Sequence, residues 1–146
     1  MNTQQDFEEL LRLLEKNNVR YLIIGGYAVA FHGYPRFTQD IDIFYYDSKD
    51  NIKKIIKSLV EFGFQESDFK EDVFLEKGNI IQFGITPVRI DLLNEINSVT
   101  FIEAEKNKIR GNYGKIKVNF IGKKELIKNK NSTGRLKDKA DIEELK

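Results

Sequence analysis

The sequence predicts an α+β fold in which a mixed β-sheet is flanked by helices. Segments whose apolar residues have helical spacing alternate with short runs of β-branched and aromatic residues. Neither a repeat nor a low-complexity linker interrupts the chain. Its 146 residues are typical of one hydrophobic core, so we expect residues 1–146 to form a single domain.

The first half of the chain alternates helices with strands. The apolar positions 7, 10, 11 and 14 share one face of a helix, and the apolar run 21–24 is typical of a buried strand. Ser48 can cap the third helix, and Gly63 is suited to end it. The elements predicted here are a helix capped by Asp6 and ended by Asn17-Asn18, a strand over 21–24, a helix over 27–31, a strand over 41–45 and a helix between the cap at Ser48 or Asp50 and Gly63.

The second half has a weaker pattern. Residues 73–75 and 80–83 flank a Lys-Gly-Asn turn and predict a hairpin, after which Pro87 separates off a further strand over 88–93. The segment 98–107 is ambiguous. The remaining predicted elements are two strands around residues 109 and 115–118, a helix over 122–130 and a helix from about residue 134.

Composition excludes several classes of protein and site. The net charge of +1 argues against a histone-like nucleic-acid binder. The chain has no cysteine and only one histidine, which excludes disulfide scaffolds, thiolate zinc sites and multi-histidine metal sites. Any bound metal should therefore be a hard cation such as Mg²⁺ or Mn²⁺. We find neither a signal peptide nor an apolar run long enough to span a bilayer, and expect a cytoplasmic protein without membrane contact.

Asp40 and Asp42 are the most informative pair in the sequence. Alternation along a strand places both carboxylates on one face and directs the apolar Ile41 and Ile43 to the other. Paired carboxylates repel each other unless a cation lies between them, so the pair is suited to bind a metal ion. The alternative is the polar face of an ordinary edge strand, because a D-x-D pattern is common.

Asp91 is a third candidate. It lies within the strand pattern of residues 88–93, and its apolar neighbours indicate partial burial, which is costly for a carboxylate that is neither paired nor bound to metal. The alternative is a surface aspartate paired with Arg89 or Arg110.

A glycine pair follows the first predicted strand. Gly25 and Gly26 lack a Cβ, so the backbone can approach a phosphate closely at the start of the next helix. The alternative is a tight turn without a ligand, and no P-loop or dinucleotide fingerprint is present.

Taken together, these segments resemble the polymerase-β-type nucleotidyltransferase superfamily. The resemblance is carried by Ile24-Gly25-Gly26, by Asp40-Ile41-Asp42-Ile43 and by Asp91 on a later strand. Arg36, Thr38 and the segment 134–142 are similar to those of minimal nucleotidyltransferases of the abortive-infection toxin and antitoxin type. The resemblance covers residues 21–145 and implies the nucleotidyltransferase fold.

The resemblance also implies an activity: transfer of a nucleoside monophosphate from an NTP to a protein, tRNA or small-molecule acceptor, with release of pyrophosphate. Asp40, Asp42 and Asp91 would be the catalytic residues and would bind two Mg²⁺ or Mn²⁺ ions, and Asp91 could also act as a general base. A toxin or antitoxin protein partner is implied in the same way.

The same resemblance suggests a nucleotide-binding set. It consists of Gly25, Gly26, Arg36, Thr38, Lys137 and Asp138. The turn has Gly-Gly where many members have Gly-Ser, so Thr38 or Tyr27 would have to supply the hydroxyl. We interpret the other lysines of the basic C-terminal segment, including Lys128 and Lys130, as surface residues.

Two other functions remain open at this level. One is a catalytically silent module that binds a nucleotide or a partner on the same fold, and the other is a metal-dependent nuclease. The glycine turn favours a triphosphate over a polymer backbone, so we place the nuclease last.

Overall fold

The computed structural model describes residues 1, 3–34, 38–85 and 88–145. Its strands form one mixed sheet in the order β3-β4-β2-β1-β6-β5, with parallel pairing for β2–β4 and β1–β6 and antiparallel pairing elsewhere. The strands are β1 (Tyr21–Ile24), β2 (Asp40–Tyr45), β3 (Ile80–Ile85), β4 (Val88–Leu93), β5 (Ile109–Tyr113) and β6 (Ile116–Phe120). The predicted α+β class with a flanked mixed sheet is confirmed.

Seven α-helices surround this sheet in the described part of the chain. They are α1 (Gln5–Lys16), α2 (Gly25–Phe31), α3 (Lys49–Phe62), α4 (Glu71–Leu75), α5 (Phe101–Lys106), α6 (Lys123–Thr133) and α7 (Leu136–Leu145). Ser48 accepts a hydrogen bond from the Asn51 amide and caps α3, as predicted. The ambiguous segment 98–107 contains α5. No helix of the described residues has the length and apolar character needed to cross a membrane.

Apolar side chains cover both faces of the sheet. On one face, Ile23, Ile41 and Ile43 pack against α1 and α3 in the larger core. On the other, Leu22 and Phe44 join residues of α5, α6 and α7 in a second core. Because Asp42 is the register partner of Ile24, the aspartates of β2 lie on this second face. The functional side chains therefore begin where the second core ends.

The hairpin predicted over 73–83 is wrong in its first half. Residues 71–75 form the single helical turn α4, and the hairpin instead joins β3 to β4. The buried Asn94 stabilises the helical turn, because its Nδ2 donates to the Phe74 and Glu76 carbonyls at 3.0 and 2.9 Å. Its Oδ1 also accepts from the Gly78 amide at 2.9 Å. These contacts come from a residue distant in sequence, so local pattern could not reveal them.

Candidate active site

Four charged side chains form a square on β2 and β4, which we call the charged square: Asp40, Asp42, Arg89 and Asp91. The two strands run parallel, with Asp40 opposite Arg89 and Asp42 opposite Asp91. Residues two apart on a strand face the same side, as do register partners on neighbouring strands. All four side chains therefore lie on one face, and the structure brings together the three predicted acids.

Arg89 links two of these acids. Its Nε lies 3.0 Å from Asp91 Oδ1, and its Nη2 lies 3.2 Å from Asp91 Oδ2 and 3.0 Å from Asp40 Oδ2. The hydrogen bonds to Asp91 and the charges of both acids raise the pKa of Arg89. Asp91 is only 7% exposed. Burial and pairing with Arg89, considered above as alternatives for Asp91, thus occur together.

Asp42 has the least favourable electrostatic environment in the square. Burial, followed by the charge and hydrogen bond of Asp91 and the charge of Asp40, raises the pKa of Asp42 to about 7, while Arg89 opposes the shift. Three carboxylates and one guanidinium carry a net charge of −2 when all are ionised. The square therefore has an excess of negative charge when its groups are ionised.

The charged square has the carboxylate oxygens that a divalent cation needs, but they are not arranged around a common cation position. In the described ranges, no group of three or more His, Cys, Asp or Glu side chains is placed to hold a metal ion. The Arg89 guanidinium lies between Asp40 and Asp91, where such a cluster would have to close. Carboxylate oxygens are nevertheless the ligands that Mg²⁺ and Mn²⁺ prefer, and the nearby charges of Asp91 and Asp40 contribute to the raised pKa of Asp42.

The predicted glycine turn lies directly against the square. Gly25 has a φ of 67°, and a Cβ at this position would lie 2.2 Å from Asp42 Oδ2. A Cβ on Gly26 would lie 2.9 Å from Thr38 Cγ2. Both positions therefore require glycine for close approach, Gly25 also for its backbone conformation. The turn and the acids, separate in sequence, form one surface.

This surface is the floor of a cleft of about 520 Å³. One wall comes from α6 and α7, and the other from the start of β3 and the loop after β4. The lining residues are Ile24, Gly25, Gly26, Asp40, Asp42, Ile80, Arg89, Asp91, Leu93, Glu95, Ile96, Asn97, Asn129, Lys130, Thr133, Arg135 and Asp138.

The predicted residue Asp138 lines the cleft, but protein donors already surround its carboxylate. Lys130 Nζ lies 3.0 Å from Oδ1, Arg135 Nε lies 2.7 Å from Oδ2, and the Thr133 hydroxyl donates to Oδ2. Burial by itself would raise the pKa of Asp138, but these hydrogen bonds and the Lys130 charge lower it below its ordinary value. Asp138 thus holds neighbouring side chains in place.

Lys130 corrects one sequence interpretation. It is 7% exposed and contacts both Asp138 and Asp141 at 3.0 Å, so it is not the surface lysine that we expected. The spacing of Lys130 before the acidic segment carries no pattern that indicates this pairing. Of the other predicted residues, Arg36 lies outside the described residues, as does the side chain of Lys137.

Sequence reasoning overlooked a second group at the cleft. Glu95, Asn97 and Asn129 line the cleft, and Asn129 Nδ2 donates to the Asn97 carbonyl at 3.0 Å. Arg89 was considered only as a pairing partner. Strand alternation could have placed Arg89 on the face of Asp91, but the loop residues had no such signal.

Comparison with known sequences decides the family. The sequence model of a family described as "Nucleotidyltransferase of unknown function (DUF6036)" matches residues 3–146. The chain belongs to this nucleotidyltransferase family. No curated protein sequence matches this nucleotidyltransferase.

Two solved structures share the fold of this nucleotidyltransferase. One is the lincosamide antibiotic adenylyltransferase LnuA with lincomycin bound, which has a TM-score of 0.58 and 18% identity over 99% of this chain and 98% of that chain. The other is a candidate nucleotidyltransferase from Thermotoga maritima, with a TM-score of 0.64 and 14% identity over 94% of this chain and 88% of that chain. The expected minimal nucleotidyltransferase is confirmed.

Proposed function

We propose that this nucleotidyltransferase moves a nucleoside monophosphate from an NTP to an acceptor oxygen within the cleft described above. The observation that carries the proposal is the contact between the glycine turn and the charged square, because Gly25 abuts Asp42, the register partner of Asp91. Phosphate oxygens and a cation would meet at this point. The acceptor hydroxyl gives its proton to solvent, its oxygen bonds to the α-phosphorus, the bond from that phosphorus to the bridging oxygen breaks, and pyrophosphate leaves.

Asp40, Asp42 and Asp91 are the residues that would hold Mg²⁺ or Mn²⁺, and we propose two ions. Bound there, the ions would neutralise phosphate charge and favour an ionised acceptor oxygen. The carboxylates orient toward the cleft because the strand register fixes them on one face. Asp91 is a weak candidate for the general base because Arg89 donates two hydrogen bonds to its carboxylate.

We place the triphosphate between the glycine turn and the α6–α7 wall. Gly25 and Gly26 line the cleft, and Arg135 offers a positive charge in the same cleft. Asp138 supports that wall by holding Arg135 and Lys130. Thr38, Arg36 and Lys137 complete the proposed nucleotide-binding set, Thr38 through its contact with Gly26.

We place the acceptor against the opposite wall. Ile80 is 56% exposed there although it is apolar, and Leu93 and Ile96 line the cleft beside it. Glu95 and Asn97 lie on the same wall, and apolar side chains combined with a small number of polar groups are typical of a small-molecule site. The structure of LnuA, which matches this chain over nearly its whole length, has the small molecule lincomycin bound. A small molecule with a hydroxyl group is therefore the first acceptor class to test, before an RNA end or a protein hydroxyl.

The function is tested by incubating the protein with Mg²⁺, a cell extract and NTPs labelled at the α- or γ-phosphate. Transfer of α-label without γ-label, with pyrophosphate release, identifies nucleotidyl transfer. We expect Asp42→Asn to reduce transfer at least about 100-fold, as loss of a group that stabilises the transition state does. The matched control is Asp50→Asn, because Asp50 is an exposed aspartate of α3 paired with Lys54.

The labelled product identifies the acceptor class. Label on a protein or an RNA would support the toxin–antitoxin setting, whereas label on a small molecule would favour a modifying enzyme. NTP binding without any transfer would support the silent module. Cleavage of an oligonucleotide without NTP would support the nuclease.

A further inference from the structure

Arg89 holds a position in the charged square that a divalent cation would also require. Its guanidinium contacts one oxygen of Asp40 and both oxygens of Asp91 at 3.0 to 3.2 Å. These are oxygens that would ligate an ion. The side chain of Arg89 is 36% exposed and lines the cleft, so it can withdraw without disturbing a packed core.

We propose that Arg89 competes with the divalent cation for Asp40 and Asp91 and must release both carboxylates before the ion binds fully. The proposal rests on the proposed function in one respect, namely that a divalent ion is used at this site. A carboxylate lone pair that accepts a hydrogen bond from Arg89 is not available to an ion. The guanidinium also repels a cation placed among the same oxygens.

The net charge of the square supports competition between Arg89 and a divalent cation for the carboxylates. With Arg89 in place and all three carboxylates ionised, the square carries a net charge of −2. Removal of the guanidinium changes this net charge to −3, which increases the attraction for a divalent ion. After withdrawal, Arg89 remains at the cleft, where its planar guanidinium can pair with phosphate oxygens of the nucleotide.

A purely structural role for Arg89 predicts the opposite effect on the ion. If Arg89 holds Asp40 and Asp91 in the orientation that an ion needs, its removal would weaken metal binding. If Arg89 competes, its removal would strengthen metal binding. The sign of the change therefore separates the two roles.

The test is the dissociation constant of Mn²⁺, measured without nucleotide by electron paramagnetic resonance and by calorimetry. We expect Arg89→Met to bind Mn²⁺ about tenfold more tightly than the wild-type protein, which corresponds to a bridged state populated about nine-tenths of the time. The matched control is Arg110→Met, because Arg110 does not line the cleft and its Nη1 lies 2.8 Å from Glu15 Oε1. Its Mn²⁺ affinity should equal that of the wild-type protein.

Unchanged, weaker or undetectable Mn²⁺ binding by Arg89→Met would overturn the proposal. If Arg89→Met does not fold, Arg89→Lys serves in its place, because lysine keeps the charge but lacks the planar fork. We expect a smaller gain in Mn²⁺ affinity for Arg89→Lys, and an affinity equal to or below wild type would again refute competition.

This measurement is separate from the test of the proposed function. Label transfer by the wild-type protein and its loss in Asp42→Asn judge the function. The ratio of two Mn²⁺ dissociation constants judges the role of Arg89. Transfer activity combined with unchanged Mn²⁺ affinity in Arg89→Met would sink only the inference, and tighter Mn²⁺ binding without transfer would sink only the function.

Discussion

The environment of Asp42 opposes its ionisation, although the charge of Arg89 favours it. Burial and the neighbouring Asp91 and Asp40 raise the pKa of its carboxyl to about 7, well above that of an aspartate in an unfolded chain. Between these two pKa values the folded protein binds more protons than the unfolded chain, so the contribution of Asp42 to stability falls as pH rises. Above about pH 7 the ionised group destabilises the metal-free protein.

Because the stability contribution of Asp42 falls as pH rises, a divalent ion should stabilise the protein more at high pH. The melting temperature of the metal-free protein should fall between about pH 4 and pH 7 because Asp42 ionises. Mg²⁺ should raise the melting temperature more at pH 7.5 than at pH 5. Thermal unfolding monitored by circular dichroism at both pH values measures the effect. Asp42→Asn should remove most of this pH dependence, and an equal Mg²⁺ effect at both pH values would contradict the prediction.

Gly25 allows a second prediction at the scale of one residue. Gly25→Ala must strain a backbone with a φ of 67° and also displace the Asp42 carboxylate from a Cβ placed 2.2 Å away. Gly134→Ala is the matched control, since its φ is 72° and its Cβ would meet open space. Both should cost about 1–2 kcal/mol for the backbone, and Gly25→Ala should cost at least about 1 kcal/mol more. Urea denaturation measures both free energies of unfolding, and equal losses would show that the Asp42 contact is unimportant.

At the scale of elements, one buried ionic network joins the last two helices. Lys130 of α6 contacts Asp138 and Asp141 of α7 at 3.0 Å, and all three side chains are buried. These helices form the wall of the cleft that carries Arg135. The network therefore links the attachment of α7 to the shape of the proposed nucleotide site.

Two lysine variants of α6 test this network. Lys130→Met leaves two buried carboxylates without their lysine, and should reduce the free energy of unfolding by about 3 kcal/mol. Lys128→Met removes a lysine whose pair with Glu103 is exposed, and should change it by less than about 0.5 kcal/mol. Chemical denaturation of both variants measures the difference. Similar losses for both would argue against a special role for the buried network.

The helix α4 shows how tertiary contacts can override a local pattern. The apolar run at residues 73–75 favours a strand, yet only Phe74 is buried there and Val73 is exposed. Tyr45 and Asn94, which are distant in sequence, bind the Phe74 carbonyl at 2.8 and 3.0 Å. A helical turn satisfies these partners, whereas residues 80–85 find their strand partner in β4. Short apolar runs cannot distinguish the two outcomes by themselves.

At the scale of the whole molecule, the strand order separates a protected centre from two edges. β4, β2, β1 and β6 have a strand on each side, whereas β3 and β5 form the edges. The charged square lies on two of the central strands, so its acids are held by the most extensively paired part of the sheet. The two walls of the cleft come from elements added around this centre.

Amide hydrogen exchange should reflect this arrangement. We expect β1 and β2 to exchange slowest and β3 and β5 faster, because edge amides have fewer strand partners. Addition of an NTP with Mg²⁺ should slow exchange at residues 24–26 and in α6 and α7, with little change in α3. Slowing confined to α3, outside the cleft, would contradict the proposed nucleotide position.

The sequence determined much of the fold and the components of the site. Alternation in the strand over 40–45 placed Asp40 and Asp42 on one face and directed Ile41 and Ile43 into the core, as the structure has them. The glycine pair was predicted at the turn directly after the first strand, and Gly25 does follow the last residue of β1. These features depend on local periodicity and on the missing Cβ of glycine, which can be read without knowledge of distant partners.

Only the tertiary structure decided which charges meet. The parallel pairing of β2 with β4 sets Asp42 beside Asp91 and brings Arg89 against Asp40, and the packing of α7 on α6 buries Lys130. Strand order and helix docking depend on contacts between residues far apart in the chain, and the spacing of charged residues carries no record of them. The acids of the site could therefore be predicted from the sequence, whereas the positions of the cations beside them depend on the fold.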